Sequence, residues 1–364
     1  MKILNSPNSF AAEKFWERKN KMDFTPDKIM SEARKTICLD IRSSLNALKK
    51  VIFEKNTGDL SEVLEGHPAD AGEVLQFILD ILHTVMKTKV EITISKDGDG
   101  RHNNNHEKER TTETSYDIKE RKNKCFRFFK TRFENEYSPL IEMFCGITEE
   151  VHRNMRTGFP IKFLYNNFFV HLLHLPNGDC EDNCRLSLSI EECFTFNTKS
   201  EIRTLEGEKQ IEHSSKLFLL PDVLVFQFLR FVPVIRNGTV NFQKNNVAIN
   251  FGNVIDVASI CSCVSEYPST LYEVNAVIHH VSQESTKYDF INNHSSGHYF
   301  STVSTNTDEN KSSHASNGKK MWTLINDHQV IQLNEHRKND EKCCFPSETF
   351  HQSAYILFCS KKKN

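Results

Sequence analysis

Two short segments carry residue types that could do chemistry together: Ser296-Gly297-His298-Tyr299-Phe300 and Trp322-Thr323-Leu324-Ile325-Asn326-Asp327. An imidazole is a base near neutral pH. A carboxamide oxygen that accepts from one ring nitrogen fixes the tautomer and leaves the other nitrogen to take a proton. That arrangement activates a cysteine or serine nucleophile. His298 is the candidate base, Asn326 the candidate orienting acceptor, and Asp327 a polar assistant beside it. Gly297 leaves room for a narrow backbone to approach. A lone histidine on a strand is more often a satisfied structural one, and that is the expectation for His279, His280 and His328.

The elements that must hold these residues are strands. After Ser138-Pro139 the chain alternates short runs rich in Val, Ile, Phe and Leu with polar or Pro/Gly-containing connections. The runs are Phe163 to Leu175, Lys216 to Val234, Val247 to Phe251, Tyr272 to His280, His298 to Val303, Met321 to Ile325 and Ala354 to Phe358. Two connections, 305–320 and 334–348, are long and solvated. Earlier in the chain, residues 10–90 read as helical. From Asp70 to Met86, Leu75, Leu79, Leu82 and Met86 form one stripe, with Val74, Ile78, Ile81 and Val85 beside it, which predicts a helix largely buried in a core. Ser43 to Phe53 supplies a shorter amphipathic partner. The stretch 95–124 is polar and predicts a solvated insertion. Helices followed by strands argue for an α+β protein.

The 364 residues are enough for a sizeable core, and 38% hydrophobic with 26% charged residues fits a soluble globular protein. Forty-six basic against 48 acidic residues give a net charge of −2, so no general attraction to nucleic acid is expected. No apolar run approaches the ~18 residues of a membrane span, and no secretory segment opens the chain. Eleven cysteines without a disulfide-framework spacing favour a reducing compartment.

Five blocks, in order, resemble the ubiquitin-specific protease family of papain-like cysteine peptidases. Asp70-Ala71-Gly72-Glu73-Val74-Leu75 is similar to the family's Gln-Gln-Asp-Ala-x-Glu-Phe-Leu block, with Pro68 and Ala69 in place of the glutamines. Phe144-Cys145-Gly146 resembles the short turn that leads into the fingers subdomain. Leu220-Pro221-Asp222-Val223-Leu224-Val225, through Leu229-Arg230-Phe231, resembles the Leu-Pro-x-Val-Leu-Val…Lys-Arg-Phe strand. Tyr272 to His280 followed by Gly297-His298-Tyr299 resembles the His box, and Trp322 to Asp327 with Ala354 to Phe358 closes the pattern.

Two family features are missing or eroded. The Cys box, Gly-x-x-Asn-x-Gly-Asn-Thr-Cys, has Lys2-Ile3-Leu4-Asn5-Ser6 as its nearest remnant, which puts Lys2 where the nucleophile belongs. Asn123-Lys124-Cys125-Phe126 echoes the box but follows the Asp70 block and is out of order. Zinc-binding relatives carry two Cys-x-x-Cys pairs in the fingers. Here His152-x-x-Met155 and His213-x-x-Lys216 stand there and offer at most two ligands, so neither zinc nor any other cofactor is expected.

The resemblance implies a papain-like cysteine peptidase fold of the ubiquitin-specific protease type. Residues 1–150 would form a helical thumb, and 151–364 a β-rich palm and fingers. It implies ubiquitin or ubiquitinated proteins as partners, no nucleic acid and no membrane, and a cytoplasmic or nuclear location. Asp70 and Glu73 would pair with arginines of ubiquitin's tail; equally, they make a helix start with Asp70 as N-cap. Lacking the nucleophile, the chain reads as an inactive, ubiquitin-binding homologue. Two alternatives stand beside it: an active thiol isopeptidase of which this is a truncated form, and a scaffold that no longer binds ubiquitin.

Overall fold

The computed structural model describes residues 2–4, 69–93, 114–176, 187–196, 200–203, 210–236, 238–264, 267–282, 297–306, 320–333 and 348–362. The chain divides into two units, Met1–Asn105 with Arg132–Tyr137, and His106–Thr131 with Ser138–Asn364.

In the first unit, β1 (Lys2–Leu4) is followed by α1 (Ala71–Met86) and β2 (Glu91–Thr93), and β1 pairs antiparallel with β2. Helix α1 starts where Asp70 leaves extended backbone and its Oδ1 accepts from Gly72 N at 2.8 Å and Glu73 N at 3.1 Å. These are two of the donors that a first turn leaves unpaired. Leu79 and Ile81 are buried as expected, but Leu82, Val85 and Met86 are exposed at 37%, 60% and 38%. The stripe expected to be core is therefore only partly covered. Periodicity tells which residues share a face, not how much of that face is covered. The Ser43 to Phe53 segment lies outside the described residues.

Helix α2 (Thr114–Phe133) takes in residues that read as part of a polar insertion. Its apolar positions, Cys125, Phe129 and Phe133, recur four apart and are buried. A window that stops at Lys124 ends before that stripe begins. The polar part is helical because it has partners: Arg121 makes a bidentate ion pair with the fully buried Glu149, with Nε to Oε1 at 2.8 Å. Glu120 pairs with Lys124 one turn on, at 2.9 Å.

After α3 (Pro139–Phe144) come β3 (Gly146–Asn154), β4 (Pro160–Phe168), β5 (His171–His174), β6 (Ser187–Ser189), α4 (Ile190–Phe196), β7 (Ser200–Arg203) and β8 (Gln210–Leu219). The remaining elements are β9 (Val223–Leu229), β10 (Phe231–Arg236), β11 (Thr239–Lys244), β12 (Ala248–Asn250), β13 (Val254–Asp256), β14 (Leu271–Ser282), β15 (Gly297–Asn306), β16 (Lys320–Asn326), β17 (Gln329–Leu333), α5 (Glu348–Ser353) and β18 (Ala354–Lys361). Every strand-like run in the sequence overlaps at least one of these strands. Strand β3 was not expected: its Glu149, Glu150, His152 and Arg153 hide it from a hydrophobicity pattern, and it crosses the 150/151 division.

Two sheets matter for the site. The smaller, β4-β3-β8-β7, is antiparallel throughout. It begins at Gly146, where a β-carbon would collide with the ring of the opposing Phe168. The larger runs β17-β16-β15-β14-β18-β9-β5, with β13 on β14 and only β5–β9 parallel. Strand β9, Val-Leu-Val-Phe-Gln-Phe-Leu, is apolar at almost every position because both its faces are covered. Leu224, Phe226 and Phe228 join Tyr272, Val274, Trp322 and Leu357 in the core.

Just after β9, Arg230 is fully buried. It donates to the carbonyls of Ala354 (2.6 Å), Val247 (2.8 Å), Asn245 (2.9 Å) and His351 (3.1 Å), tying the 245–247 bend to α5 and β18. Burial lowers its pKa to about 10, so it stays charged at neutral pH. No helix among the described residues is long and apolar enough to cross a membrane.

Candidate active site

Strand register brings His298 and Asn326 together. Strands β15 and β16 pair antiparallel with Ser301 opposite Ile325, so position 326 lies opposite 300 and shares a face with 298, two residues away. His298 Nε2 and Asn326 Oδ1 are 2.5 Å apart. The amide oxygen can only accept, so Nε2 carries the proton and Nδ1 has the lone pair. Asp327 Oδ2 is 3.9 Å from Nε2, beyond hydrogen-bond reach, and its side chain is 71% exposed. Asp327 also opens the two-residue turn between β16 and β17 at φ 50°, a conformation that Asp tolerates better than most residues. It shapes the hairpin that presents Asn326.

Gly297 pairs with Ser282, and the ring of His280 lies where a β-carbon at 297 would stand. The space beside the backbone there is filled from within the protein. The His280 ring packs among Tyr299 (4.8 Å), Phe231 (5.0 Å) and Tyr355 (6.2 Å). His279, its neighbour on β14, is a structural histidine. Its Nδ1 is 3.0 Å from Ser353 Oγ, its Nε2 2.9 Å from Thr302 Oγ1, and its ring stacks on Phe300 at 4.7 Å. Burial takes its pKa down to about 3.

Among the described residues no cysteine hydrogen-bonds His298. The six described cysteines, Cys125, Cys145, Cys193, Cys261, Cys263 and Cys359, are all buried. Desolvation pushes Cys125, Cys193 and Cys261 up to about 12, which keeps them protonated and unreactive. Cys38, Cys180, Cys184, Cys343 and Cys344 lie outside the described residues. Lys2, at the position the Cys-box remnant would assign to the nucleophile, sits in β1 opposite Thr93.

Asp70 and Glu73 stand in the first unit and His298, Asn326, Asp327 and Gly297 in the second. Asp70 caps α1 with one carboxylate oxygen, and Glu73 is exposed in the first turn.

A second cluster lies on the smaller sheet. Glu150 and His152 are two apart on β3 and share a face, and His213 on β8 pairs directly with His152. Glu150 Oε1 is 2.7 Å from His152 Nε2 and 3.0 Å from His213 Nδ1, and the two imidazoles are 3.9 Å apart. Partial burial works to raise the pKa of Glu150, but the hydrogen bonds from His152 and His213 outweigh it and hold the carboxyl below its ordinary value. The sequence marked the two histidines. It missed Glu150 because β3 itself was not legible.

The ubiquitin carboxyl-terminal hydrolase family model matches residues 10–359. The chain belongs to that family, and its fold is the α+β papain-like fold of the ubiquitin-specific protease type. Solved structures similar to it include a yeast SAGA DUBm structure with a mutant Sgf73, 18% identical, with a TM-score of 0.47, covering 81% of this chain and 51% of that one. The Ubp8-Sgf11-Sgf73-Sus1 SAGA DUB module is also 18% identical, with a TM-score of 0.47 and 84% and 51% covered. A Ubp8/Sgf11/Sus1/Sgf73 module bound to monoubiquitin is 17% identical, with a TM-score of 0.42 and 69% and 49% covered. The chain thus spans about half the length of these structures. No curated protein matches it.

Proposed function

We propose that this chain binds the carboxyl-terminal tail of ubiquitin, free or conjugated, at the face that carries His298, and that as written it does not cleave the bond. The observation that carries this reading is the 2.5 Å His298–Asn326 hydrogen bond in a member of a ubiquitin hydrolase family, with no described thiol bonded to the ring. In a complete site the imidazole takes a thiol's proton, the thiolate attacks the terminal carbonyl, and the imidazolium protonates the leaving amine. Among the described residues the base and its orienter stand without an attacking atom. A lysine ammonium at position 2 has no lone pair near neutral pH to replace it. Binding survives that loss because it rests on a broad surface rather than on one sulfur. Taken by themselves, the carboxylates of Asp70 and Glu73 suit the cationic side chains of ubiquitin's tail. Eleven cysteines without a disulfide-framework spacing fit action in the cytoplasm or nucleus.

The retained hydrogen bond also favours a second reading: an active cysteine-type deubiquitinase whose nucleophile lies outside the sequence given. One experiment separates the two. The purified chain is treated with ubiquitin bearing a thiol-trapping electrophile at its carboxyl terminus and analysed by intact mass. The binding reading expects no adduct, while titration with unmodified ubiquitin gives saturable binding. An adduct that His298→Ala abolishes would overturn the inactive reading for this chain. Absence of both adduct and binding would leave a scaffold that has lost ubiquitin.

A further inference from the structure

We propose that the outer edge of β17 (Gln329–Leu333) takes up an extended, uncharged peptide segment of a partner protein as an added strand of the larger sheet. Strand β17 ends the order β17-β16-β15-β14-β18-β9-β5, and among the described residues no strand pairs with its outer side. Ladder parity says which backbone groups that side offers. The two-residue turn Asp327-His328 closes on the pair Asn326 and Gln329, the first and last residues of a β-turn, which bond across it. Bonded and non-bonded pairs then alternate along an antiparallel ladder. Ile331 and Leu333 therefore face β16 with their backbone groups, and Val330 and Gln332 turn their N–H and C=O outwards, where a further strand would meet them.

Edge strands are normally guarded by a lysine, a proline, a bulge or an inward-pointing charge. Strand β17, Gln-Val-Ile-Gln-Leu, has none of these: its five residues pair with β16 in unbroken register and carry no charge. Apolar side chains flank the edge on both faces. Ile331 is 48% exposed on the face of the buried Leu333, while Val330 (68%) and its cross-strand partner Ile325 (38%) lie on the other. From Met321 to Leu333 the chain holds no carboxylate, lysine or arginine except Asp327 in the turn. The electrostatic complement of such a strip is an uncharged strand with apolar side chains at alternate positions. The dimensions favour a peptide over a second copy of this chain. The exposed apolar side chains make a patch on the order of a few hundred Å², short of the roughly 800 Å² per partner that a stable protein pair buries. An added strand draws its affinity from main-chain hydrogen bonds instead.

The test pans a display library of random seven-residue peptides against the immobilised full chain. Recovered sequences, acetylated and amidated, are then titrated by fluorescence polarisation. The expected result is enrichment of uncharged peptides with apolar residues at alternate positions, which slow hydrogen exchange at the Val330 and Gln332 amides. Val330→Pro removes an outward N–H without touching the ladder to β16, and Val330→Lys sets a cation on the edge. Each should weaken binding by about tenfold, the scale of one main-chain hydrogen bond. Ring ¹⁵N shifts that keep the Nε2–H form of His298 verify that the hairpin holds its register in both variants. The proposal is overturned if no such peptide is enriched, if both variants bind as the wild type does, or if exchange slows elsewhere and not in β17. A wild-type dimer in sedimentation that Val330→Pro dissociates would give the edge to a second copy and overturn it equally.

Discussion

The imidazole of His280 occupies the volume that a side chain at Gly297 would need. Glycine at this position is thus a packing requirement inside the sheet, one residue before the candidate base. Gly297→Ala should force the His280 ring out of its aromatic surround or push the start of β15 away from β14, at a cost of about 1–3 kcal/mol. Urea unfolding would measure it. Combining Gly297→Ala with His280→Ser should recover part of the loss, giving a non-additive cycle. Strict additivity would mean that the two residues do not compete for space.

Asn326, rather than Asp327, sets the tautomer of His298, because only Asn326 is within hydrogen-bond reach of Nε2. In Asn326→Ala the imidazole should become a mixture of Nδ1–H and Nε2–H tautomers, readable from ¹⁵N chemical shifts of the ring. Asp327→Gly should leave the Nε2–H form dominant and keep the turn, since glycine accepts φ 50°. A tautomer shift in Asp327→Gly alone would assign the orienting role wrongly.

For Asp70, capping and charge can be separated. Asp70→Asn keeps an oxygen for Gly72 N and Glu73 N and should change stability by only a few tenths of a kcal/mol, whereas Asp70→Ala should cost about 1 kcal/mol. If the carboxylate also meets cationic groups of ubiquitin's tail, Asp70→Asn should weaken ubiquitin binding about as much as Asp70→Ala does. Equal ubiquitin affinity in wild type and Asp70→Asn would confine this residue to its cap.

Stability should fall on acidification below the ordinary range of histidine. His279 is neutral in the folded chain, with a pKa near 3 caused first by burial, while the unfolded chain titrates at 6.5. Between these values the unfolded state binds the extra proton, so stability rises with pH through the window and is fully present above 6.5. At pH 5 this one residue should cost roughly 2 kcal/mol relative to pH 7.5. His171, held near 4 by burial beside Phe168 and Phe194, acts in the same direction. Denaturant midpoints from pH 7.5 to 5 should trace the slope, and His279→Gln should flatten it. An unchanged slope in that variant would place the acid sensitivity elsewhere.

The strands of the larger sheet, β13 and β17 apart, were legible in the sequence because central strands such as β9 are covered on both faces and spell continuous apolar runs. The His298–Asn326 pair was legible too, through residue types and order, although the diagonal placement across β15 and β16 comes from register alone. Strand β3 and the first half of α2 were not legible, and for one reason. Both carry charged residues that are satisfied by specific partners rather than by water, Arg121 with Glu149 above all. Hydropathy cannot distinguish a charge that is solvated from one that is paired. The same blindness hid Glu150 and so the third member of the cluster with His152 and His213.

The hairpin that carries Asn326 makes the candidate site sensitive to parity. Side chains on β16 alternate between the two faces, so sliding the strand by one position against β15 would turn Asn326 away from His298 and bring Ile325 or Asp327 onto its face. A slide of two would restore the face but move the amide about 6–7 Å along the strand. The imidazole therefore has its acceptor in a single alignment of the two strands, and the two-residue turn at Asp327-His328 acts as the stop that selects it.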